Sequence, residues 1–115
     1  MHEFAFANTV LEAARAEAQL RPGMMLTKIA IRVGDLAGVD PDALRFCFGA
    51  LVKETNWESV VLEIERRAQR HRCTRCGIEF EVVNYDTACP ACGESTTSFL
   101  SGNELELAYL EMEGL

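Results

Sequence analysis

The sequence predicts an α+β protein: a small three-stranded sheet backed by two helices, with a zinc-ribbon-like module inserted ahead of the last strand. Three observations carry this. Two stretches repeat their apolar residues at helical spacing, three others alternate with period two, and two C-x-x-C pairs lie between the second and third of those alternating stretches. On this reading residues 1–67 and 103–115 form one domain, and residues 68–102 form the inserted zinc-binding one.

From Phe4 to about Leu20, Ala7, Val10, Leu11, Ala14 and Ala18 recur on one stripe, while Glu12, Arg15, Glu17 and Gln19 fall mostly opposite. Arg21-Pro22-Gly23 stops this helix, because proline cannot continue the ladder and glycine supplies a left-handed exit. The N-terminal tripeptide is then a short free end beside an ordered element. Leu26 to Val33 sets Ile29, Ile31 and Val33 against Lys28, Ala30 and Arg32, the signature of a half-buried strand. Asp40-Pro41 reads as N-cap and first helical residue of a second helix, with Leu44, Phe48, Leu51 and Val52 on one face and Cys47 a small core residue beside them. That helix is expected to reach Glu54 or Thr55. Val60 to Ile64 is β-branched and apolar enough for a second strand, and Trp57 before it fills core or interface. Leu105, Leu107 and Tyr109 alternate with Glu106 and Ala108, after which Leu110 and Met112 change phase as at a bulge. This strand lacks a local partner, so it is expected to return to the Leu26 and Val60 strands.

Cys73-Thr-Arg-Cys76 and Cys89-Pro-Ala-Cys92 have the spacing of a four-thiolate zinc cage. Gly77 and Gly93 follow the second cysteine of each pair and allow the positive φ of a tight knuckle. Four sulfurs close the coordination shell, so such a zinc holds structure and leaves no open position for hydrolysis. The cage is what lets so short a segment fold: about thirty residues bury too little apolar surface alone. Glu79 to Val83 alternates as a short strand inside it. A pair of disulfides is the competing reading, but the first residues show no basic, apolar and cleavable secretory leader, which points to a reducing cytoplasmic setting.

No apolar run approaches the ~20 residues of a membrane span. The net charge of −7 opposes general nucleic-acid binding. Arg66, Arg67, Arg70, Arg72 and Arg75 cluster before and within the first knuckle, and no Lys or Arg follows Arg75. They read as balancing the negative tetrathiolate, with a nucleic-acid-binding or protein-interaction zinc ribbon as the alternative. Neither a Ser/His/Asp set, a phosphate loop nor a carboxylate pair stands out, so the chain is not read as an enzyme. Its two histidines are His2 and His71, the latter expected to be a solvated hinge residue.

A free amine one residue before histidine is a chelator. The Met1 amine, the His2 amide nitrogen and its imidazole offer three nitrogens in five- and six-membered rings, with Glu3 completing the set through amide or carboxylate. Such a set suits Cu(II) or Ni(II). On these residues alone an ordinary frayed terminus competes with that reading.

Met1-His2-Glu3, the helix after it, Ile31-Arg-Val-Gly-Asp-Leu-Ala-Gly-Val39, Ala43-Leu-Arg-Phe-Cys-Phe48, Leu62-Glu-Ile-Glu65 and both cysteine pairs resemble the HypA/HybF family, nickel metallochaperones of nickel-iron hydrogenase maturation. The resemblance spans essentially the whole chain in order. It implies an α/β nickel domain and a zinc domain, with nickel as transient cargo at Met1, His2 and Glu3 and structural zinc at Cys73, Cys76, Cys89 and Cys92. It further implies a HypB-type GTPase and the hydrogenase large subunit as partners, with urease-maturation proteins as second clients and a monomer or homodimer as the working form. Phe4 departs from the Leu or Trp of many relatives but changes no metal-binding atom.

Overall fold

The structure is a computed structural model and describes residues 2–115. Its elements run α1 (Glu3–Gln19), β1 (Met24–Gly34), α2 (Pro41–Val52), β2 (Val61–Arg67), β3 (Arg70–Cys73), β4 (Glu79–Glu81), β5 (Thr97–Ser101) and β6 (Leu105–Gly114). Two three-stranded sheets result, ordered β2-β1-β6 and β4-β3-β5. They lie end to end in a molecule 55 Å long and 26 by 17 Å across.

β1 is the longest strand and the centre of the larger sheet. β2 runs parallel to it after the α2 crossover, and β6 runs antiparallel on its other side. The final strand therefore does return, pairing with β1 alone because β2 already holds the opposite edge. Both helices pack on the face carrying Ile29, Ile31 and Val33, and Ala7, Val10, Leu11, Ala14, Leu44, Phe48 and Val52 complete the core. Cys47 and Trp57 pack against it as expected, the indole with the Arg15 guanidinium 5.5 Å above its ring.

The change of phase expected near Leu110 has a definite origin. Ala30 pairs with Tyr109 and Ile31 with Leu107, so Ala108 is an extra residue in β6. The bulge shifts the alternation by one, which turns Leu107, Leu110 and Met112 all toward the helices and sends Glu106, Tyr109 and Glu111 to the open face. That face is laced with ion pairs: Lys28 meets Glu63 and Glu111, and Arg32 meets Glu65 and Glu106. Tyr109 reaches over Ala30, which is fully covered, and donates its hydroxyl to Glu63 Oε2 at 2.6 Å.

Several boundaries differ from the sequence reading. α1 opens at Glu3, not Phe4, because Glu3 is drawn into the first turn. α2 stops at Val52, short of Glu54, since Lys53 is extended and Glu54 turns left-handed (φ 64°) with its amide held by the Glu58 carboxylate. β2 continues to Arg67 because β1 pairs with it that far. β3 and β5 were not foreseen: both are short, polar and half exposed, so they lack a clear alternation.

The two sheets meet at a crossing of backbones. Asp35 N–H donates to Arg67 O at 2.9 Å and Leu36 N–H to Gly102 O at 2.8 Å, and Arg66 grips Asp35 with two 2.7 Å hydrogen bonds. A Cβ on Gly34 would stand 2.1 Å from Gly102 O, and one on Gly102 would stand 2.6 Å from Gln69 Cα. Only glycine fits at either position.

Candidate metal centre

The two knuckles are built alike. After each first cysteine a carbonyl accepts from a glycine amide: Gly77 N–H to Cys73 O at 3.1 Å and Gly93 N–H to Cys89 O at 2.8 Å. Both glycines have φ 80°, the left-handed value the spacing predicts. A second bond closes each loop, Cys73 N–H to Ile78 O and Cys89 N–H to Glu94 O, both 2.9 Å. The Thr74 hydroxyl donates to Thr96 O at 2.7 Å and so ties the first knuckle to the strand leaving the second.

This scaffold brings all four sulfurs within 4.8 Å of one another. The Cys73–Cys92 and Cys76–Cys89 sulfurs are each 3.6 Å apart. That is nearly twice an S–S bond and close to the ~3.8 Å edge of a tetrahedron with Zn–S distances near 2.3 Å. The donor set therefore fits zinc: four soft sulfurs at one point and no water position. Cys73 and Cys89 are buried and Cys76 and Cys92 face outward.

The local field favours thiolate at Cys73 and Cys89 and opposes it at Cys76 and Cys92. The Cys76 amide, and after it that of Arg75, point at Cys73 Sγ from 3.4 and 3.3 Å and bring its thiol down to about 6. At Cys92 the Glu94 amide pulls the other way, but desolvation and the sulfurs of Cys73, Cys89 and Cys76 push it up to about 12. Sulfurs this close cannot all carry charge without a cation among them, which is the physical case for a divalent ion there. Three of the five arginines are engaged elsewhere, contrary to the sequence reading. Arg66 is bound to Asp35, Arg72 to Glu79 at 2.7 Å, and Arg67 lies near Glu65.

His71 is also placed differently from expectation. It is 8% exposed, between Phe80 and Phe99, because β3 turns it inward. The Thr97 hydroxyl spends its proton on Thr87 O at 2.7 Å, so His71 donates from Nδ1 to Thr97 Oγ1 at 2.9 Å, and Nε2 accepts from Gln69 at 3.2 Å. The ring is a satisfied core group that joins the crossing point to the second knuckle.

At the other end of the molecule, Met1 lies outside the described residues. His2 is exposed at the N-cap of α1, and its carbonyl accepts from Phe6 N–H at 3.0 Å. Glu3 is not free: its carboxylate accepts from Asp40 N–H at 3.1 Å, which together with its own amide holds it below the usual carboxylate range. Asp40 does cap α2, accepting from Asp42 N–H at 2.9 Å. Its contact with Glu3, 37 residues away, had no signal in the sequence.

A sulfur cage held by paired knuckles, beside an α/β sheet, defines a metal-handling protein. Comparison with known proteins makes the class specific. Residues 1–112 match the family model described as hydrogenase/urease nickel incorporation, metallochaperone, hypA. Two proteins named hydrogenase maturation factor HypA are similar over 113 residues, 98% of this chain and 100% of theirs: that of Geobacter metallireducens at 41% identity and that of Chlorobaculum tepidum at 40%. In fold, the solution structure of the nickel metallochaperone HypA from Helicobacter pylori covers all of both chains with a TM-score of 0.65 at 20% identity. The chain belongs to the HypA family, non-catalytic nickel metallochaperones of hydrogenase maturation.

Proposed function

We propose that this chain carries Ni(II) on Met1, His2 and Glu3, holds structural Zn(II) on Cys73, Cys76, Cys89 and Cys92, and hands its nickel to a nickel-iron hydrogenase large subunit with a HypB-type GTPase. It works in the cytoplasm, with urease maturation as a second outlet. The observation that carries the nickel assignment is the tethered first turn of α1. The amides of a helix's first turn have no intrahelical acceptor, so the His2 and Glu3 nitrogens ligate without breaking a helical hydrogen bond. With its carboxylate engaged on Asp40, Glu3 offers that amide nitrogen.

The positive end of the α1 dipole repels a bare cation and favours deprotonated, anionic amides. Binding is therefore loose and proton-coupled, which suits a carrier. The same nitrogens favour copper over nickel, so selectivity comes from availability and docking. Residues 1–67 with 103–115 make the nickel domain and residues 68–102 the zinc domain, a division supported by the two separate sheets.

Nickel titration of untagged protein with its native amino end tests this, followed calorimetrically and by the visible band of square-planar nickel. One Ni(II) beyond the zinc is expected, and His2→Ala should weaken it at least ~10-fold. A variant that binds as tightly as the parent would overturn the assignment.

A further inference from the structure

Beside the crossing of the two sheets lies a cleft of about 390 Å³, lined by four arginines and only two acids, Arg32, Arg66, Arg67, Arg70, Glu104 and Glu106. In a chain of net charge −7 four arginines gather here, with Asp35 and Glu65 reaching them from just outside the lining. Its donors are only partly used. Arg66 is committed to Asp35, but Arg67 has a single contact, 3.8 Å from Glu65, and Arg70 has no ion pair among the described residues. Arg32 stands 3.4 Å from its glutamates, and its buried Nε finds no acceptor in hydrogen-bonding geometry. The acids are weak competitors: Glu104 accepts from the Gly102 amide at 2.7 Å, and Glu106 reaches Arg32 at 3.4 Å.

We propose that this cleft is an anion site for a di- or triphosphate group, held by Arg67 and Arg70 with Arg32 beneath. Guanidinium forks match phosphoryl oxygens two at a time, and the volume admits more than one phosphoryl group. A carboxylate ligand would only exchange with the glutamates already present, whereas a phosphoryl chain brings higher charge to the unpaired donors. The site joins β1 to the strands entering and leaving the second sheet, so an occupant would fasten the two sheets together. It uses none of the metal-binding residues, so its failure leaves the nickel reading intact.

The test is calorimetric titration of the zinc-loaded full chain with pyrophosphate, inorganic phosphate and poly-glutamate at low salt. Saturable 1:1 binding of pyrophosphate is expected, at least ~10-fold tighter than phosphate and weakened ~10-fold by Arg70→Ala or Arg67→Ala. Both side chains are exposed, so these variants should fold. Arg72→Ala, whose partner Glu79 lies outside the cleft, should bind as the parent does. No saturation, an equal loss in Arg72→Ala, or poly-glutamate binding as tight as pyrophosphate would each overturn the site.

Discussion

At the scale of single residues, Gly102 and Gly34 decide whether the two sheets can meet. Gly102 has φ 123° and no room for a Cβ beside Gln69, so Gly102→Ala is both strained and clashing with backbone. It should lose roughly 3 kcal/mol or more, read from the urea midpoint of the larger sheet, whereas Gly49→Ala, open on all sides, should be neutral or stabilising. Asp40 is milder: Asp40→Ala removes the α2 cap and should cost about 1 kcal/mol, with Asp40→Asn retaining most of it. The Tyr109–Glu63 pair gives a pH signature. The phenol's hydrogen bond, then Lys28, lowers Glu63, and Glu63 in turn raises Tyr109 to about 12. The Glu63 contribution is present above the ordinary carboxylate value and is lost as pH falls through its lowered one. That of Tyr109 is present below about 10 and lost as pH rises through about 12. Phenolate absorbance should show one tyrosine titrating late, and Glu63→Gln should return it toward its ordinary value.

At the scale of elements, the smaller sheet and the larger one owe their order to different forces. The β4-β3-β5 sheet has one small buried cluster, Cys73, Phe80 and Cys89, with Val82 against it. Such a core cannot repay the entropy of ordering some thirty residues, and metal binding must supply the rest. Removing zinc with a strong chelator, or Cys76→Ala, should collapse amide protection in β3, β4 and β5 while the helical signal of α1 and α2 persists. Equal loss of both would mean that the sheets fold as one unit. The larger sheet stands on ordinary packing, with Leu11, Ile29, Ile31 and Leu44 almost fully covered. Leu11→Ala should cost about 2–5 kcal/mol by thermal or urea unfolding and leave the zinc content unchanged.

At the scale of the whole molecule, the metal sites are reached by different logic. The cage is local: four sulfurs within twenty residues and two glycines fix it, and all of that is written in spacing. The proposed nickel terminus is local in its donors but not in its posture, since Glu3 is held by Asp40, 37 residues along the chain. The basic cleft is not local at all, gathering Arg32, Arg67 and Arg70 from three strand segments. The arginine run drew notice in the sequence for its charge, but a list of cations does not say which carboxylates will face them. Asp35, Glu65 and Glu79 took three of the five, and that could not be foreseen.

By itself the sequence determined the two helices, the central strand, the returning last strand and the four-sulfur cage. The helices, the central strand and the cage rest on a period or spacing over a few residues, where local geometry dictates the outcome, and the return of the last strand on its want of a local partner. Only the tertiary structure decided that Ala108 is the bulge, that His71 is buried between two phenylalanines, that Glu3 is tied to Asp40, and that glycine meets backbone at the crossing. These depend on contacts between segments tens of residues apart, and the energy that selects such contacts belongs to pairs of surfaces that exist only once the chain has folded.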